Sequence, residues 1–87
     1  MNKTDVYILN PQCKIDKAED DTVIFVNEWA IILHDYEEKL LMFFNGEKNL
    51  GEISSSLGIL YVNYCEKEFF NFVNELVSKE VLIIKND

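Results

Sequence analysis

Few side chains in this sequence are of types that do covalent chemistry, and they are scattered. His34 is the only histidine, and no serine or cysteine stands near it as a nucleophile. The run Ser54-Ser55-Ser56 falls in a helical segment and reads as a helix face that tolerates solvent or packing. Glu19-Asp20-Asp21 could hold a cation weakly. It lacks the alternate-residue spacing and the glycine of a calcium loop, so it reads as a solvated turn. Cys13 and Cys65 form no CxxC, and four zinc ligands cannot be assembled from two cysteines and one histidine. Both cysteines are expected as free thiols. The three glycines are isolated, so no phosphate loop is present. The sequence therefore predicts no catalytic residue, no metal ligand and no cofactor, and function falls to binding.

Composition narrows what is bound. The chain has 87 residues, enough for one domain spanning 1–87. Hydrophobic residues make up 48 % of it, enough for one core. Net charge is −8, from sixteen acids against eight lysines, with no arginine. Nucleic-acid binders gather positive charge and use arginine to read guanine. Neither feature is present, so no nucleic-acid partner is expected. A charge of this sign also repels anionic membranes. No apolar run approaches the roughly 18 residues of a membrane helix. The four-residue apolar stretch near the start is too short for a signal peptide, so a cytoplasmic location is expected.

The elements follow from periodicity. Residues 13–17, CKIDK, alternate polar and apolar as in a strand with one wet face. TVIFV (22–26) and WAIIL (29–33) are β-branched and aromatic and read as a hairpin around Asn27-Glu28. VYIL (6–9) could form another short strand, broken after by Pro11. From Asp35 the period changes to that of a helix, with Tyr36, Leu40, Phe43 and Phe44 on one face and a stop at Gly46. Leu50, Ile53 and Leu57 mark a second helix closed by Gly58. Phe69, Phe72, Val73 and Leu76 mark a third. VLII closes the chain as a tail or strand. Three helix starts pair an Asp or Asn with an acid three residues later: Asp35/Glu38, Asn49/Glu52 and Asn63/Glu66. Each pair can satisfy free N–H groups reciprocally. The expected class is α+β and winged-helix-like, a three-stranded antiparallel sheet followed by three helices.

The helix a DNA reader would place in the groove carries Glu66, Glu68 and Glu75 against Lys67 and Lys79, which argues against DNA. Phe70 and Val77 lie beside its core face. They either widen that face or line a groove next to an edge strand. The candidate strand has Trp29, Ile31 and Leu33 on one face and Ala30 and Ile32 on the other. An exposed apolar edge is a hazard unless covered or used. A peptide that adds there as a strand gains main-chain hydrogen bonds.

The ordered series resembles a known family. Asn10-Pro11, Leu33-His34, Leu40 to Phe44, Asn45-Gly46, Asn49 through Glu52-Ile53, and Phe72 through Leu76 to Val81 look like the PqqD-like family. These are leader-recognition elements for ribosomally made, modified peptides. The likeness covers roughly residues 6 to 84. Three positions depart from the family pattern. His34 stands for an asparagine, Glu37 for a small residue, and Glu80 for the glycine before the last apolar pair. The resemblance implies a non-catalytic binder that presents a precursor's leader to a modifying enzyme, such as a radical-SAM enzyme, a lasso-type protease or a cyclodehydratase. The leader would add antiparallel to the third strand, against Trp29, Ala30, Ile31, Ile32 and Leu33. Phe70, Val73, Asn74 and Val77 would be the helix side. The acidic chain leads us to expect lysine or arginine in that leader. A winged-helix adaptor or dimerisation module remains the competing expectation.

Overall fold

A computed structural model describes residues 2–85, without the side chain of Asp35. The elements are β1 (Tyr7–Leu9), β2 (Lys14–Ala18), β3 (Asp21–Val26), β4 (Trp29–His34), α1 (Asp35–Leu41), α2 (Leu50–Leu60), α3 (Glu66–Ser78) and β5 (Leu82–Ile84). β2, β3 and β4 form an antiparallel sheet in that order, so β4 is an edge. β1 and β5 pair antiparallel in a separate ribbon. The domain is thus a small α+β unit. The closing VLII run is a strand, paired with the short strand near the start.

Two-residue turns set the sheet. Glu19 and Asn27 each follow the last paired residue of a strand and take positive φ, 53° and 51°. Asparagine tolerates this region better than most residues. The Asn27 side chain is also anchored, donating to Glu80 Oε2 at 2.6 Å. Register then runs Val26 to Trp29, Ile24 to Ile31 and Thr22 to Leu33. These pairs form the inner face. Ile24 and Leu33 are fully buried there, together with Leu50, Ile53 and Leu57 of α2 and Val73 and Leu76 of α3. Burying such a side chain contributes about 1.5–3 kcal/mol. The Lys3–Glu66 ion pair, with both side chains more than half exposed, adds at most about 1 kcal/mol. Packing therefore holds the fold.

The helix ends differ from expectation in two places. α1 ends at Leu41, not at Gly46. Met42, Phe43 and Phe44 donate instead to carbonyls three residues back, at 3.3, 3.2 and 3.0 Å. That tightening turns Phe44 into the core. Gly46, with φ 85°, belongs to the link that follows. Gly58 lies inside α2, which runs two residues further and closes with Tyr61 N–H on Leu57 O at 2.9 Å.

Of the expected capping pairs, Asn49/Glu52 forms and Asn63/Glu66 does not cap α3. Glu52 N–H donates to Asn49 Oδ1 at 2.9 Å, and Asn49 N–H to Glu52 Oε1 at 3.0 Å. At α1 the cap is one residue earlier: His34 is the N-cap and its N–H donates to Glu37 Oε1 at 3.1 Å. The expected role of the Asp35 side chain lies outside the described residues. At α3 the N-cap is Cys65, two residues past Asn63.

Position 80 is a glutamate where a helix end favours glycine. It sits just past α3 with φ 63°. Glu80 N–H bonds to Val77 O at 3.1 Å and Val81 N–H to Leu76 O at 2.9 Å. This is a Schellman closure with glutamate at the left-handed position. The strain is tolerated because the carboxylate holds Asn27. Replacing Glu80 by glycine or by alanine removes that bond equally, but only alanine keeps the strain. The Glu80→Gly variant is therefore expected to be about 1 kcal/mol more stable than Glu80→Ala in urea unfolding.

Candidate functional site

A groove separates β4 from α3. Its phase is set by the hairpin. In a two-residue hairpin the residues flanking the turn form a hydrogen-bonded pair, and such pairs alternate from there. Trp29, Ile31 and Leu33 thus turn their backbone to β3. Ala30, Ile32 and His34 turn theirs to the open edge. The His34 N–H is already taken by Glu37. The N–H and C=O groups of Ala30 and Ile32 are then the ones aimed at the groove rim, on an edge that no other described strand pairs.

Side chains line the groove from below. A small cavity of about 140 Å³ lies between Ile31, Leu33 and Glu37 on one side and Phe72, Glu75 and Leu76 on the other. It shares Glu37 and Phe72 with a larger cavity of about 430 Å³ nearer α1. The floor of that cavity is Leu40, Phe69 and Phe72. Its rim is His34, Tyr36, Cys65 and Glu68. A third hollow, over Tyr36, Tyr61 and Val62, shares Tyr36, Asn63 and Glu68 with it. β4 and α3 run in opposite directions along the groove, so the end of β4 meets the start of α3.

Both ends are fastened. At the α3 C-terminus, the Asn27–Glu80 bond joins the hairpin to the helix. Lys79 Nζ lies 5.1 Å from the Trp29 ring centroid and 2.6 Å from Glu75 Oε1. At the other end, Tyr36 of α1 meets Tyr61 edge-on, with centroids 5.7 Å apart. α1 is also tied to the sheet. Glu38 accepts from Thr22 Oγ1 at 2.7 Å and lies 2.6 Å from Lys17 Nζ. Hydrogen bonds from Lys17, then Thr22, hold the Glu38 carboxyl below the usual carboxylate range.

The expected site residues divide into groups. The backbone of Trp29 to Leu33 borders the groove. The Leu33 side chain is buried, Ile31 is half-buried, and Ile32 is 61 % exposed on the opposite face of the sheet. There it lies beside Val23, while Ala30 lies beside Phe25. On α3, Phe70, Val73, Asn74 and Val77 do not line the groove. Val73 is fully buried. Phe70 packs on Phe69 and faces Lys3, whose Nζ is 5.7 Å from its centroid. The helix wall is the stripe Cys65, Glu68, Phe72, Glu75, on the opposite flank of the core face Phe69, Val73, Leu76 from the expected set. Apolar periodicity does not reveal it, because two of its four members, Glu68 and Glu75, are charged.

No cluster of three His, Cys, Asp or Glu side chains suited to a metal occurs among the described residues. His34 Nδ1 lies 3.0 Å from Asp21 Oδ1, but both are solvent-exposed. Ser54 is buried against the Tyr64 hydroxyl at 2.5 Å. Among the described residues no helix is long and apolar enough to cross a membrane. Compared with protein-family models, curated proteins and solved structures, the chain matches none.

Two measurements check this geometry. The Glu38 contribution to stability is present above the ordinary glutamate value and is lost as pH falls through its lowered folded value. The Glu38→Gln variant should lack that component, so its melting temperature should fall less than wild type on going from neutral to acid pH. Cys65 is exposed on the groove rim, whereas Cys13 is half-buried and burial pushes its thiol up. A thiol reagent at neutral pH should modify Cys65 about tenfold faster than Cys13, read by mass spectrometry of the digested protein.

Proposed function

We propose that this chain is a non-catalytic, winged-helix-like domain that binds the leader of a ribosomally synthesised precursor peptide and presents it to a modifying enzyme. The leader adds as a strand to β4, and its alternate side chains drop into the groove against α3. The observation that carries the reading is an edge strand, β4, that no other described strand pairs and whose Ile31, Ile32 and Leu33 line a cavity of about 140 Å³ against Phe72, Glu75 and Leu76 of α3. An added strand satisfies the backbone groups of that edge and buries apolar side chains together. The PqqD-like pattern in the sequence supports the same reading.

A second reading has one observation in its favour. On the outer face of the sheet, Phe25 is 43 % and Ile32 61 % exposed. That strip suits an adaptor or a dimer. Light scattering separates the two: a monomer accords with leader binding, and a stable dimer with the alternative.

The test is titration with synthetic leader segments of precursors encoded beside its gene, followed by amide spectra. Shifts should centre on residues 30–33 and on Phe72 and Glu75. Shifts confined elsewhere, or none with the cognate leader, contradict the proposal. A proline pair sharpens it. Ile32→Pro removes a donor aimed at the groove and leaves the β3 ladder intact, so the protein should fold and bind the leader about tenfold more weakly or worse. Ile31→Pro removes a ladder bond to β3 and should unfold the sheet, read by circular dichroism.

A further inference from the structure

The walls of the groove differ in chemistry along its length, and that difference selects among peptides. The larger cavity is apolar at its floor. The smaller one sets the apolar faces of Phe72 and Leu76 between two carboxylates, Glu37 and Glu75. Glu68 adds a third carboxylate at the far rim and makes no ion pair among the described residues. Lys79 sits beyond the smaller cavity and is occupied by Glu75 and the Trp29 ring.

We infer that the groove takes a basic peptide in which a large apolar residue is followed, two positions on, by lysine or arginine. This rests on strand addition to β4 as proposed above. β4 belongs to an antiparallel sheet, and antiparallel pairing is the more stable per residue. An antiparallel strand enters at the His34 end and leaves at the Trp29 end. It therefore passes the larger cavity first and the smaller one second. Side chains on one face of a strand recur every second residue, about 6.8 Å apart. The first groove-facing side chain fills the apolar cavity. The next lays its aliphatic stem on Phe72 and Leu76 and carries its charge to Glu37 and Glu75, as long basic side chains do. An acidic residue there would meet the Glu37 carboxylate and gain nothing from Glu75, whose charge Lys79 already pairs at 2.6 Å.

Selection of a displayed random-peptide library on the immobilised protein tests this, repeated on the Glu75→Lys variant, whose exposed position leaves the fold intact. The expected result is lysine or arginine enriched about tenfold over acidic residues two places after a large apolar one. Glu75→Lys should erase or reverse that preference. Binders that lack the basic residue, or carry it two places before the apolar one, overturn the inference. If those same binders lose affinity for Ile32→Pro, strand addition itself still stands. Binders indifferent to Ile32→Pro, or no binders at all, contradict strand addition and this specificity with it.

Discussion

The phase of β4 is fixed by one two-residue turn, and the groove depends on it. With Asn27 at φ 51° and Val26 paired to Trp29, odd-numbered residues of β4 face β3 with their backbone and even-numbered ones face the rim. A turn one residue longer would reverse this. It would also move Leu33 from the core to solvent, because side chains alternate with the same period of two. The same turn is held to the end of α3 through Asn27 and Glu80. The hairpin thus fixes both the strand that borders the groove and its distance from the helix opposite. Glutamate at Glu80 costs backbone strain that glycine would avoid, and it supplies this link in exchange.

Much of the architecture is legible in the sequence because its signals are local. The β-branched and aromatic runs TVIFV and WAIIL give β3 and β4 within a residue of their ends. The pairing Asn49/Glu52 gives the start of α2, where both reciprocal bonds form. Other signals depend on contacts between distant segments. Asp35 with Glu38 has the spacing of a capping pair, but Glu38 is drawn to Lys17 and Thr22 on the sheet. Glu37 closes the helix instead. Gly46 and Gly58 look like helix stops, yet packing of Phe44 ends α1 early and Leu57 carries α2 past its glycine. The groove wall on α3 was hidden for a related reason. Apolar periodicity finds the face that meets the core, namely Phe69, Val73 and Leu76. The neighbouring stripe that meets a ligand mixes Cys65, Glu68, Phe72 and Glu75.

The acidic balance of the chain gains a location. Part of it belongs to helix starts, as at Glu52 and Glu66. Part lines the groove, at Glu37, Glu68 and Glu75. At Glu37 the two roles meet: its carboxylate closes the His34 N–H and so ends the edge that β4 offers. Pairing of an added strand is therefore confined to Ala30 and Ile32, and the segment that precedes the pairing lies over the apolar cavity beside α1. Charge, edge length and cavity then restrict the same short segment of a ligand.

Amide hydrogen exchange along β4 tests this account most directly. In the isolated protein, Ala30 and Ile32 should exchange quickly, while Ile31 and Leu33, bonded to β3, exchange slowly. A bound leader peptide should slow Ala30 and Ile32 to the rate of their neighbours. Fast exchange at Ile31 and Leu33 with slow exchange at Ala30 and Ile32 in the free protein would contradict the phase of β4. An unchanged pattern with the peptide bound would contradict strand addition.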